Sequence, residues 1–155
     1  MAISTGSAIE FYGTQDTVTA GGGTSSVASA AFSVSGDVVS GGWTNDDDAP
    51  MASMVLKCAY GTAPTANTSV NLYARLMNID STNDQITPDA NFGHVYLGSF
   101  PLDDTTSTQY IAIDVRLPNT YTSQVYEFYI QNNGGQTMSA AWTLKVTPKT
   151  IGPHA

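Results

Sequence analysis

The side chains of this sequence that could serve as nucleophile, base or metal ligand are few and poorly grouped. The single cysteine stands in Met54-Val55-Leu56-Lys57-Cys58-Ala59. At the two-residue period of a strand, the Cys58 thiol falls on the face of Met54 and Leu56 and away from Lys57, so it reads as a small core residue and not an activated thiolate. The only histidines, His94 and His154, are sixty positions apart and form no local metal motif. His94 shares a strand face with Tyr96, which predicts a surface or interface ring, and His154 belongs to the end of the chain. No Gly-x-Ser-x-Gly occurs, so that form of serine nucleophile is missing. Carboxylates gather in Asn45-Asp46-Asp47-Asp48, in Asp80-Ser81-Thr82-Asn83-Asp84 with Asp89, and in Asp103-Asp104. Calcium is bound by such oxygen-rich loops, but the EF-hand spacing is absent and solvated acidic loops are the expectation. Two glutamates, Glu10 and Glu127, give little basis for a paired-carboxylate glycosidase. These residues predict no catalytic, cofactor-binding or metal site, and the chain reads as a non-enzyme.

Aromatic side chains are the remaining candidates, as anchors at a protein interface or platforms for sugar. Trp142 falls on the inward face of a strand, and Trp43 precedes the first acidic loop. Tyr73, Tyr96 and Tyr110 lie opposite the most apolar strand faces and predict an exposed aromatic patch.

Charge narrows the partners. Thirteen Asp and Glu against five Lys and Arg give a formal charge of −8. Lys57, Arg75, Arg116, Lys145 and Lys149 are scattered singly along the sequence, so neither nucleic acid nor an anionic membrane is an expected partner. No stretch reaches 18 consecutive apolar residues, and Met1-Ala2-Ile3-Ser4-Thr5-Gly6 has neither a basic region nor an apolar core; no membrane span or secretory leader is predicted. One cysteine allows no internal disulfide and no Cys-based zinc cluster, which fits assembly in a reducing cytoplasm.

The elements that would position these groups are strands. Alternation is strict where Val70, Leu72, Ala74 and Leu76 share one face, where Ile111, Ile113, Val115 and Leu117 do, and where Met138, Ala140, Trp142, Leu144 and Val146 do. The spacing predicts about eight strands, over 28–35, 37–43, 51–60, 69–78, 92–100, 110–117, 124–132 and 137–147, separated by Gly, Asn, Asp and Pro clusters. The fold class expected is all-β: an antiparallel two-sheet sandwich, in a jelly roll, over residues 27–150. The Gly-, Ser- and Thr-rich residues 1–26 read as a flexible arm, with Ile9, Phe11 and Tyr12 as its apolar anchor on a neighbouring subunit, and 151–155 as a tail. Residues 78–91 form a long connection without strand character, of a length usually functional or part of an interface.

The stretches Trp43-Thr44-Asn45-Asp46-Asp47-Asp48-Ala49-Pro50, Leu72-Tyr73-Ala74-Arg75-Leu76-Met77-Asn78-Ile79-Asp80, Tyr126-Glu127-Phe128-Tyr129-Ile130 and Ala141-Trp142-Thr143-Leu144-Lys145 resemble small virion structural proteins of tailed bacteriophages. The likeness covers roughly residues 43–150 and is closest to capsid decoration, or cement, proteins. It implies a homotrimer bound to the outer surface of the major capsid protein shell, located on the virion and assembled in the host cytoplasm. It transfers no individual functional residue. A head-fibre or tail-fibre accessory domain that binds host glycan or receptor is the alternative.

Overall fold

The computed structural model describes residues 8–80, 82–92 and 95–153. Nine strands follow in order: β1 (Ala8–Tyr12), β2 (Asp16–Thr17), β3 (Trp43–Thr44), β4 (Met51–Cys58), β5 (Ser69–Met77), β6 (Val95–Pro101), β7 (Gln109–Arg116), β8 (Val125–Asn132) and β9 (Thr143–Pro153). Period-two alternation is the reason for the longest of them. Ala52, Met54, Leu56 and Cys58 of β4, and Val70, Leu72, Ala74 and Leu76 of β5, are all buried, with half-buried side chains between them.

The strands form two antiparallel sheets. One has the order β1-β9-β4-β7, with β2 also paired to β9, and the other has the order β3-β8-β5-β6. They face each other across one core, in which Met54, Leu56, Trp142 and Leu144 meet Leu72, Phe100, Tyr126, Phe128 and Ile130. The protein is therefore the all-β two-sheet sandwich that its alternation predicts. Apart from β1 and β2, which follow one another along β9, only β5 and β6 are neighbours in both chain and sheet.

Three stretches depart from the expected strands. Residues 28–43 contain a single 3-10 turn at Ser35–Asp37, and only Trp43 and Thr44 pair as a strand. Ala30 has φ 63°, and the backbone is held by bonds from Ala30 N to Asn132 O (2.6 Å) and from Ser33 N to Ile130 O (2.8 Å), not by a continuous ladder. Near the start of β9, Ala141 sits at φ 65° and breaks the alternation, so Ala140 is exposed while Met138 and Trp142 stay buried. Phe92, expected in a strand, precedes β6 and is exposed.

Both chain ends also differ from expectation. Residues 8–26 are not a free arm. β1 and β2 pair with β9, Val18 lies in the core, and Thr24 Oγ1 donates to Trp142 O at 2.8 Å. Residues 151–153, expected in a tail, are the end of β9 and pair with Ala8, Ile9 and Glu10. An N-terminal strand satisfies the backbone donors of a sheet edge that would otherwise stand open, which is why the two ends order each other. Residues 1–7, His94 and His154 lie outside the described residues.

Candidate interaction surfaces

The groups with chemical potential mostly serve the fold. Cys58 is buried in the core, and burial alone pushes its thiol up to about 11. In the first acidic loop, buried Asn45 donates from Nδ2 to Ala49 O (2.9 Å) and accepts from Ala49 N (3.1 Å), closing the turn that exposes Asp46 and Asp47. In the second, Asp84 accepts from Asn78 N (2.8 Å), and Asp89 accepts from Asn91 N (2.7 Å) and Phe92 N (3.0 Å). The long connection is pinned further by Arg75, whose Nη1 meets Glu127 Oε2 at 2.8 Å, whose Nη2 lies 3.5 Å from Asp84, and whose Nε donates to Gln85 O at 2.6 Å. Among the described residues, no group of three His, Cys, Asp or Glu stands together as metal ligands would.

The three residues singled out as an anchor lie on β1, paired within their own chain. Phe11 is 46% exposed and Tyr12 is 59% exposed, while Ile9 is half-buried. Gly152 lets the Phe11 ring close over β9, since a Cβ there would stand 3.0 Å from Phe11 Cε2. The ladder between β4 and β9 ends at Met51 and Lys149, so residues 150–153 pair only with β1. There β1 and the end of β9 form a two-stranded pair at the margin of the sandwich, with Phe11 and Ile151 exposed on it. Lys149 fixes its base: the side chain is 3% exposed and donates to Asp114 Oδ2 at 2.6 Å and to Glu10 Oε1 at 3.3 Å.

The outer face of the β3-β8-β5-β6 sheet carries an aromatic row. A bulge at Leu72 and Tyr73 brings Tyr96 opposite Tyr73, with ring centroids 5.6 Å apart, and Phe32 lies 5.1 Å from Tyr73 on the other side. Polar groups border the row. Tyr73 Oη donates to Gln131 Oε1 at 3.3 Å, Tyr96 Oη and Ser99 Oγ are 2.7 Å apart, and Ser99 Oγ donates to Asn71 Oδ1 at 2.6 Å. Tyr96 is 55% exposed. Tyr110, expected in the same patch, is on β7 of the other sheet, so the patch predicted from three tyrosines is divided between two faces. Phe32 escaped the sequence reading because the strand expected over 28–35 does not form, and the ring is placed instead by the bonds of Ala30 and Ser33 to β8.

The basic side chains, scattered in sequence, are gathered by the fold. Lys57 of β4, Lys145 and Lys149 of β9, and Arg116 of β7 all stand at outward positions of the β1-β9-β4-β7 sheet, next to inward neighbours Leu56, Leu144 and Val115. Among the described residues of its strands, Glu10 and Asp114 are the acids that oppose them on that face, both at Lys149. No family model matches this chain, and no curated protein or solved structure gives a significant match.

Proposed function

We propose that this protein is a non-enzymatic structural protein of a bacteriophage virion, a decoration protein that binds the outside of the major capsid protein shell as a homotrimer. The strand wiring carries the reading. With β2-β9-β4-β7 facing β3-β8-β5-β6 and successive strands mostly crossing between sheets, the order fits a jelly roll, an architecture that hosts viral capsid and lectin domains. This is analogy at the level of fold, added to the resemblance of residues 43–150. The pairing of β1 with the end of β9 leaves Phe11, Tyr12 and Ile151 exposed, an apolar surface suited to the role.

Immunogold labelling of particles with an antibody to this chain, and co-sedimentation of the purified protein with shells of the same phage, test the reading. Saturable binding to the shell exterior that raises shell melting temperature supports it. Absence of the chain from particles overturns it. The aromatic row favours a second reading, a glycan-binding accessory domain, because rings bordered by Asn71, Ser99 and Gln131 offer both stacking and amide or hydroxyl partners. A glycan array hit lost in Tyr96→Ala would favour that reading instead.

A further inference from the structure

The five basic residues of this chain divide unequally. Four of them stand on the outer face of the β1-β9-β4-β7 sheet and the fifth, Arg75, is bound to Glu127 and Asp84 on the opposite sheet. Four bases against two acids leave that face at +2, and eleven acids against Arg75 leave the rest of the molecule at −10. Lys149 is neutralised locally by Asp114 and Glu10, whereas Lys57, Lys145 and Arg116 form no ion pair among the described residues. Lys57 and Lys145 flank a groove of about 300 Å³, floored by Val55 and walled by Tyr110, Thr143 and Gln15. Tyr110 is 71% exposed there. An apolar floor between two free ammonium groups suits a carboxylate-bearing side chain, whose stem packs on Val55 while its charge meets both lysines.

Of the three acidic clusters, Asp103-Asp104 precedes β7 and stands at the Lys57 end, where Asp103 is bonded to Gln109, and the other two lie elsewhere. The loop 45–50 leads from β3 into β4 at Met51, and the connection 78–91 leaves β5 at Met77, next to Val125 of β8. Both lie at the end of the sandwich away from Lys57, which pairs with Tyr110 near the other end of β4. They expose Asp46, Asp47, Asp80 and Asp89.

We propose that the basic face is the docking surface for the acidic end of a second copy of this chain. A second copy is a body of net charge −8, so approach is repelled everywhere except at the +2 face, and like faces repel like. The contact is therefore basic groove to acidic end, and in its head-to-tail form it is heterologous. Repeated contacts of that kind close into a ring, of which a trimer is the smallest, where the rotation between copies closes, and run on as a filament where it does not. The inference gives surfaces to the homotrimer of the preceding section, but needs no shell and is tested without one.

Sedimentation velocity of the full chain, at about 0.05 M and about 1 M salt, reads the association directly. The wild type is expected to self-associate at low salt, to a trimer where the contacts close, and to dissociate at high salt. Lys57→Glu with Lys145→Glu, and separately Asp46→Lys with Asp47→Lys, should each weaken self-association at least about tenfold, and mixing the two variants should restore it. Circular dichroism and melting temperature confirm that both variants fold. A wild type that is monomeric at low salt, an oligomer indifferent to either double reversal, or a mixture that stays dispersed overturns the proposal. Loss of this assembly would leave shell labelling unchanged as evidence for the function itself.

Discussion

Tyr12 stands directly across from Lys149 in the antiparallel pair of β1 and β9, its ring centroid 5.9 Å from the ammonium and its hydroxyl donating to Glu10 at 2.6 Å. Strand β1 is thus fastened by a cluster that one lysine from β9 completes. Hydrogen bonds from Tyr12 and then from Lys149 hold the Glu10 carboxyl below the usual carboxylate range. The Lys149 ammonium is held above its usual value, first by its bond to Asp114 and then by Glu10, against the cost of desolvation.

A depressed carboxyl stabilises the folded arrangement above its unfolded pKa of about 4.3 and loses that contribution as pH falls through the folded value. A raised ammonium stabilises below about 10.4 and loses its contribution as pH rises through the folded value. Docking of β1 is therefore expected to be firm between these limits and to loosen on both sides. Hydrogen exchange at the amides of residues 8–12, corrected for its intrinsic pH dependence, checks this. Glu10→Gln should flatten the acid limb, and an unchanged limb would assign it to other groups.

Buried Asn132 bonds four partners. Its Nδ2 donates to Val27 O and Gln136 O, each at 2.8 Å, and its Oδ1 accepts from Tyr60 Oη at 3.0 Å and Gly134 N at 2.9 Å. Removing the amide strands several buried groups, each costing about 1–3 kcal/mol. Asn132→Ala is expected to lower stability by about 3 kcal/mol or more in urea melts. Asn132→Asp should also be costly, because a carboxylate cannot donate to Val27 and Gln136.

Trp142 fills the core and donates from Nε1 to Ser25 O at 3.0 Å. Trp142→Ala should cost about 3–5 kcal/mol, combining lost burial with a cavity. A loss under about 1 kcal/mol would show that the residues following the kink at Ala141 carry little of the packing.

Cys58, buried and with its thiol raised to about 11, should be almost entirely protonated at pH 8. A disulfide reagent is expected to label it at the rate of global unfolding, and denaturant should accelerate the reaction in step with the melt. Labelling within seconds in the native state would sink this assignment.

The sandwich was legible because period two is a local property. Val70 to Leu76 and Ile111 to Leu117 each announce an inward face without reference to any other strand. The short strands were not, since Trp43 and Thr44 are extended only because β8 offers a ladder, and Ala30, Ala141 and Gly42 adopt positive φ that the surrounding chain imposes. Arm and tail misled separately for the same reason. Residues 8–12 and 150–153 each look weak alone and become strands only by pairing with one another.

By itself the sequence determined an all-β chain with a buried thiol, a strong negative charge and acidic turns, because residue type and alternation act within a few positions. Tertiary structure alone decided which distant residues share a surface. The outward positions of Lys57, Arg116 and Lys145 follow from alternation, but their convergence depends on β9, β4 and β7 being neighbours in one sheet. The separation of Tyr110 from Tyr73 and Tyr96 has the same origin. Strand order is set by long-range pairing and packing, and no local pattern of side chains encodes it.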